Sequence, residues 1–354
     1  MNNSNLQRSD SVLPTPAADT SPAKPRKRRW ASVLVHTLVW GYLLLLIGAG
    51  MLIRRDGERW WFATLVLFGP RWIFGAPLVL LVPLVFLLRR RLIWIVAGSA
   101  IFFAFEILNL AIPWRAWSLP ATGGQHLRLL TCNTHRYLLN APALAHLIDN
   151  VKPDVVVLQE WESNQGRAIF HDPGWHVYLW GELLVASKYP IRDTLDVLPS
   201  NSGLEGAANA YDLMTPGGNI HLVNMHLASP HLVFSDALHR QPGAPDEIAD
   251  NCLARRIESQ LISVHAKSAK LPTLLAGDFN TPIDSETFGE YWTGLTDAFA
   301  FAGSGIGVTY RVKWTRTRID HILFNSDWQC RHCWLGPDVG SPHLPVIADL
   351  ELKP

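Results

Sequence analysis

Asp278 and Asn280 stand two residues apart at the end of the apolar run Leu274–Asn280 (LLAGDFN). Five other polar motifs close similar runs: LTCNTH with Asn133, VVVLQE with Glu160, LVNMHL with His226, RIDHILFN with Asp320, and SPHLPV with His343. Acids, amides and imidazoles without a cysteine or serine nucleophile are the set that metal-assisted attack of water on a phosphoester requires.

Each residue type has a reason to be there, and each has a plainer alternative. A carboxylate at the end of an apolar strand cannot stay charged and unpaired cheaply. A hard divalent cation is the natural partner of Glu160, and Mg²⁺ prefers oxygen ligands and keeps waters for a substrate; the alternative is a strand-end acid facing solvent. Asn133 follows its strand in the same way, as a site amide or as a turn residue. Asp278 and Asn280 at i, i+2 point the same way along an extended segment, unless they form an Asx turn before Pro282. Asp320 and His343 suit an imidazole–carboxylate pair, in which the acid fixes the ring and favours its charged form. His321, beside Asp320, should face the opposite side and pack.

These residues need strands that end at one rim. Val155–Leu158, Leu183–Ala186, Ile220–Val223, Thr273–Ala276, Ile319–Phe324 and Leu344–Leu352 read as strands. Leu144, Leu147, Ile148 and Val151 form a helical stripe behind Asn140 as N-cap, and Glu247–His265 reads as a second helix. The alternation predicts an α/β sandwich whose rim gathers all six motifs.

The N-terminal third is different. Residues 1 to about 25 have the composition of a disordered tail, and Lys24 and Arg26–Arg29 form a basic cluster. Trp30–Ile53 holds no acid, Lys or Arg and is long enough to cross a bilayer. A second apolar stretch runs from Trp72 to Leu88 and ends in Arg89–Arg91; a third runs from Leu92 to about Ile112. Glu106 falls near the far headgroup layer. The expected segments are a tail at 1–29, three transmembrane helices within 30–113 and a catalytic domain at 125–354. The two dense basic clusters place their ends in the cytoplasm by the positive-inside rule, and three crossings put the domain outside. The loop with Arg54, Arg55, Arg59, Asp56 and Glu58 is where this sidedness depends on the second stretch being a true crossing.

Composition narrows the rest. A formal net charge of +1 over 354 residues gives no basis for bulk electrostatic capture of nucleic acid. Four cysteines are too few for a disulfide scaffold. Cys330 and Cys333 form a CxxC with no second pair to complete a zinc site. Ser229, His231, His239, Arg240, Arg255 and Arg256 lie in a segment, Ala228–Arg256, that reads as a surface loop or as a specificity loop at the pocket mouth.

The six motifs, in this order, resemble those of the endonuclease/exonuclease/phosphatase superfamily over about residues 125–353. The resemblance implies a deoxyribonuclease I-like four-layer α/β/β/α sandwich and hydrolysis of phosphoester bonds. It implies Glu160, with Asn133 near it, at a Mg²⁺ ion (Mn²⁺ being the alternative). It implies His226, Asp278, Asn280, Asp320 and His343 in catalysis, with Asn133, His226 and Asn280 on phosphate. One departure is plain: the family's last motif usually reads Ser-Asp-His, and here it is Ser341-Pro342-His343. That missing Asp is a metal contact in some members.

Three spans ahead of such a domain are similar to membrane-anchored bacterial members of the family, typified by a teicoplanin-resistance membrane protein of the vancomycin-resistance cluster. That likeness implies a lipid-linked phosphate or pyrophosphate substrate at the outer face of the bacterial inner membrane. The expected partners are the lipid bilayer and this substrate. A nuclease acting on nucleic acid is the less favoured alternative, and a non-catalytic membrane scaffold is the alternative of another class. No protein partner is legible.

Overall fold

The computed structural model describes residues 26–120, 123–162, 169–199, 202–230, 243–312 and 315–354. His231, His239, Arg240 and the tail through Lys24 lie outside them.

Two six-stranded sheets stack face to face. The first contains β1 (His126–Asn133), β2 (Val155–Gln159), β3 (His176–Trp180), β4 (Leu183–Ser187), β13 (Trp328–Leu335) and β14 (Val346–Leu352), in the order β13-β14-β1-β2-β4-β3. The second contains β5 (Ile191–Leu198), β6 (Ala207–Thr215), β7 (Gly218–His226), β8 (Thr273–Asp278), β9 (Thr296–Asp297) and β12 (Asp320–Phe324), in the order β5-β6-β7-β8-β12-β9. A small hairpin, β10 (Tyr310–Val312) with β11 (Thr315–Thr317), lies beside them.

Central strands are apolar on both faces because both faces are covered. Leu129, Val155, Val157, Leu222, Leu274 and Ile322 meet between the sheets. Their neighbours Leu130, Val156 and Leu158 pack outward against Leu144, Leu147 and Ile148 of the helix Ala141–Val151. Val223, Met225 and Leu275 pack outward against Ile262 and Ala266 of the helix Ala244–Ser268. The layers therefore run α/β/β/α, the deoxyribonuclease I-like sandwich. Asn140 caps the first of these helices, its Oδ1 accepting from Ala143 N at 3.1 Å. A bulge between Cys330 and His332 turns both cysteines of the CxxC into the inter-sheet core, where their thiols are free.

The N-terminal region is helical: Arg26–Asp56, Trp61–Phe68, Ala76–Leu88 and Ile93–Phe102. Val39, Leu46 and Ile53 of the first helix pack with Val85, Val96 and Ile107. Among the described residues, two helices are long and apolar enough to cross a membrane, Trp30–Asp56 and Arg71–Leu88. The third apolar stretch departs from expectation. Its helical run, Arg90–Ile107, includes Arg90, Arg91 and Glu106, turns into a π-helix at Phe103–Ile107, and is followed by Asn109 with φ +54°. It therefore ends short of Ile112.

The junction between helices and sandwich is held by ion pairs. Arg71 is bidentate to Asp284 (2.6 and 3.0 Å), both side chains nearly buried. Glu58 accepts from Thr287 N at 2.8 Å and lies 4.0 Å from the buried Arg255. Arg59 pairs with Glu286, which also lies 3.5 Å from Arg256. This corrects the specificity-loop reading for two residues. Arg255 and Arg256 face the junction and the acids around it, and the turns of Ala244–Ser268 carry them there.

Candidate active site

Strand register builds the site. Asn133 and Gln159 end the parallel pair β1–β2, so Glu160 follows at the same rim. His226 pairs with Asp278 across β7–β8, and Asp278 with Asp320 across β8–β12. His343 lies just before β14 and bridges Tyr310 of the hairpin. All seven expected residues meet here.

Asp278 Oδ2 is the hub. It lies 3.0 Å from Asn133 Nδ2, 3.7 Å from His343 Nε2 and 3.9 Å from His226 Nε2. Asn133 Nδ2 also donates to Glu160 Oε1 at 3.0 Å, so one amide bridges two carboxylates. The amide's oxygen accepts from His135 N at 2.9 Å. Asn133 thus turns its donor end to the acids, where a metal-ligating amide would turn its oxygen. His343 Nδ1 lies 2.9 Å from Asp320 Oδ2, the expected pair. His321 faces the other way, as expected, with Nδ1 2.7 Å from Asp297 Oδ2.

The Asp278/Asn280 expectation changes. The strand stops at Asp278, whose Oδ1 accepts from Asn280 N at 2.9 Å, and Asn280 has φ +45°. This is the Asx turn that competes with an extended path. The turn still keeps Asn280 buried beside the rim, with Nδ2 donating to Leu227 O at 2.8 Å. Positive φ values also occur at His135, Arg136 and Glu160. Backbone strain of about 1–3 kcal/mol per residue is thus concentrated around the acids. Gly277 is required for a related reason: at φ +151°, a Cβ would lie 1.9 Å from Met225 O.

Sequence reasoning missed Glu182. It sits in the two-residue turn between β3 and β4, after Gly181 with φ +56°. Its Oε1 lies 2.5 Å from His226 Nδ1, and its Oε2 accepts from Arg136 at 3.2 Å. Burial works against a charged His226, but the Glu182 hydrogen bond and the charges of Asp278, Glu182 and Glu160 outweigh it and raise its pKa to about 9. Burial likewise opposes the charged forms of His343 and Glu182. Asp320 and Asp278 nonetheless hold His343 above the ordinary histidine value, and His226 and Arg136 bring Glu182 below the ordinary carboxylate value. Burial and the neighbouring Asp320 push Asp278 up. Tyr310 was also missed; its ring lies 4.8 Å from that of His343.

The charges leave one donor idle. His226 Nε2 is buried, has no hydrogen-bond partner among the described residues, and faces Glu160 Oε1 at 3.8 Å and Asp278 Oδ2 at 3.9 Å. A buried N–H without an acceptor suits an incoming oxygen. Cys132 is no nucleophile, because burial and nearby carboxylates push its thiol well up. Ser341 Oγ is committed to Asn133 O at 2.6 Å.

The donor set fits a hard cation. Asp278, Asp320 and His343 bring one ligand atom each within 4.8 Å of one another. All three are buried and His343 Nδ1 is engaged with Asp320. Glu160 has more solvent access than these two aspartates, its side chain 17% exposed, as an ion that keeps its waters requires. Arg136 Nε, 3.7 Å from Glu160, offsets part of that charge. Pro342 offers no carboxylate here; its carbonyl accepts from Arg311 N at 3.0 Å.

Residues 130–343 match the model of the endonuclease/exonuclease/phosphatase family. The chain belongs to that family. It is accordingly a hydrolase of phosphoester bonds. Among solved structures, an endonuclease/exonuclease/phosphatase from Bacteroides vulgatus is 21% identical with a TM-score of 0.51, covering 65% of this chain and all (100%) of that one. D. rerio TDP2 complexed with single-strand DNA product is 14% identical with a TM-score of 0.50, covering 64% and 99%. At these identities the likeness concerns the fold. No curated protein matches the chain.

Proposed function

We propose that this chain is a membrane-anchored, divalent-cation-dependent phosphoesterase. Its substrate is a lipid-linked phosphate or pyrophosphate at the extracytoplasmic face of a bacterial inner membrane. The observation that carries the chemistry is the idle His226 Nε2, a buried donor on a charged ring aimed between two carboxylates.

Glu160 would hold the cation, Mg²⁺ or alternatively Mn²⁺, with Asn133 orienting its carboxylate. When bound, the ion supplies Lewis-acid stabilisation of phosphoryl oxygens. Asp278 takes the proton of the attacking water, and its raised pKa makes it the stronger base. Asn280 spends one amide N–H on Leu227 O and keeps the other for a phosphoryl oxygen. His343, charged and braced by Asp320, faces the negative charge that grows in the transition state. His226, braced by Glu182, gives its Nε2 proton to phosphate or to the leaving oxygen.

The membrane half of the proposal has its own support. Arg89 Nε bonds Ser32 Oγ at 2.8 Å, so the Arg89–Arg91 turn lies beside the start of the first helix. Arg54 and Glu106 pair at 2.7 Å at the opposite end, as an interfacial Glu106 requires. The sandwich docks on that second end through Arg59 and Arg71. With the basic end in the cytoplasm, the catalytic domain (125–354) faces outward, the tail (1–29) inward, and 30–113 forms the anchor. Anchoring holds the site at its substrate's depth and at high effective concentration.

The test is a hydrolysis screen of purified protein with Mg²⁺ across polyprenyl phosphates, phospholipid phosphates, nucleotides and DNA. Chelator-sensitive phosphate release from the lipids is expected. Cleavage of DNA with no lipid hydrolysis would replace the proposal by a nuclease. Cellular function that survives Asp278→Ala and His343→Ala would replace it by a scaffold.

A further inference from the structure

Two cavities lie where the sandwich meets the apolar helices, and none of their lining residues belongs to the rim cluster. The first, about 210 Å³, is lined in part by Arg71, Trp72, Ile306, Val308, Arg316 and Arg318. The second, about 290 Å³, shares Arg318, Asn109 and Ile283 with it.

Arg318 is the unusual wall. It is only 7% exposed, yet its Nε and Nη1 have no hydrogen-bond partner among the described residues. The nearby Asp297 Oδ1 is 3.7 Å away, and that carboxyl group already serves Ala300 N at 2.6 Å and His321 at 2.7 Å. The Phe299 ring, 5.0 Å from the guanidinium carbon, covers one side. A buried guanidinium with idle donors is costly unless a ligand supplies acceptors. The first cavity has three arginines and no carboxylate in its lining; among the described residues Arg71 is bidentate to Asp284, whereas Arg318 has a looser ion pair with Asp297 at 3.7 Å. Its apolar walls reach the surface at Trp72 (52% exposed) and Ile306 (41%).

We propose that this cavity binds the phosphate headgroup of an anionic lipid. Arg318 is the principal donor, since its planar fork matches phosphate oxygens. Trp72, Ile306 and Val308 cover the first methylenes of the chain. The size agrees: at about 30 Å³ per water, the first cavity has room for a headgroup and a short length of chain but not for a whole lipid. The inference rests on the membrane proposal for the lipid's source and is independent of the hydrolytic step.

The full-length protein in zwitterionic detergent is titrated, without divalent cation, with dihexanoyl phosphatidic acid, dihexanoyl phosphatidylcholine and inorganic phosphate. Binding is read by calorimetry and by melting temperature. Phosphatidic acid is expected to bind at least about tenfold more tightly than either of the others, and Arg318→Gln to weaken it at least about tenfold. Ile306→Trp fills the mouth without touching the guanidinium and should do the same, so it decides the matter if Arg318→Gln fails to fold. His343→Ala should leave binding intact. Binding lost in His343→Ala but kept in both cavity variants would place the ligand in the rim cluster and overturn the proposal. Equal affinity for free phosphate, or no anion-selective binding, would overturn it as well. Hydrolysis is scored separately, so either proposal can fall alone.

Discussion

Leu129, Val157, Leu222 and Ile322 in the sandwich are 0–1% exposed, whereas Val79, Leu80, Leu87 and Trp94 in the helical region stand 73–80% exposed. The same kinds of side chain are disposed in opposite ways. In water, apolar surface is driven between layers, and two sheets with helices outside bury that of the central strands. The helical region packs only an inner seam, Val39, Leu46, Ile53, Val85 and Val96, and leaves its outer face apolar. Such a face is stable where the solvent is itself apolar. Polar groups follow the same contrast. The sandwich buries charge inside it, at the rim and in the Arg318–Asp297–His321 cluster, while the helical region keeps its ion pairs at its ends, at Arg54–Glu106 and Arg71–Asp284.

The largest break in this contrast is His343→Ala. Removing the braced imidazole should lower kcat/KM for phosphoester hydrolysis by about 10³- to 10⁴-fold. The melting temperature should also fall, because the change leaves Asp320 buried without its imidazole partner, so turnover is measured well below the unfolding transition. Membrane association should barely move, because His343 is no part of the apolar face. A variant that retains full turnover would remove His343 from the reaction.

Next is Arg71→Ala, which strikes the seam between the regions. It leaves Asp284 buried without its cation, and Asp284 is held below the ordinary carboxylate value, against burial, chiefly by Arg71. Breaking such a pair costs about 3–5 kcal/mol. Denaturant unfolding and limited proteolysis at the junction should report that loss, and an unchanged midpoint would mean that the two regions are not coupled there. Leu80→Lys tests the outer face. On a lipid-facing helix it should cost about 2.5–3.5 kcal/mol of insertion free energy, read in a membrane-insertion assay; at a water-facing site it would cost nothing.

The contrast also explains what could be read from the sequence. Central strands such as Val155–Gln159 and Thr273–Asp278 are buried on both faces, so each appears as an unbroken apolar run with its polar residue at the end. Edge strands β3 and β5 are largely exposed and mix polar with apolar residues, so they gave no such signal. Glu182 was lost with β3: a Gly-Glu turn is visible in sequence, but its position at the rim depends on a hairpin partner that was not recognised. The Asx turn at Asp278–Asn280 was an open alternative, and tertiary context decided it. The junction pairs were illegible for another reason. Glu58–Arg255 and Arg71–Asp284 join residues some two hundred positions apart, and no local pattern connects them.

Glu182→Gln is the finest test, because it alters the electrostatics of the rim and leaves its layers alone. Charged His226 draws on Glu182, and its pKa near 9 lies above the unfolded value of 6.5. A raised histidine pKa means that the stabilisation is complete below about pH 6.5 and is lost as pH rises through about 9. Asp278 works in the other direction. It must be ionised to act as a base, and its pKa lies above the ordinary 3.8. Hydrolysis should therefore follow a bell, rising as Asp278 loses its proton and falling as His226 does, with macroscopic values that belong to the coupled cluster. In Glu182→Gln the amide cannot match the carboxylate's charge, so the basic limb should shift to lower pH. The loss in kcat/KM should be about tenfold near neutrality and greater at about pH 8.5. The acidic limb, set by Asp278, should stay in place. A basic limb that does not move would show that some group other than His226 supplies the proton.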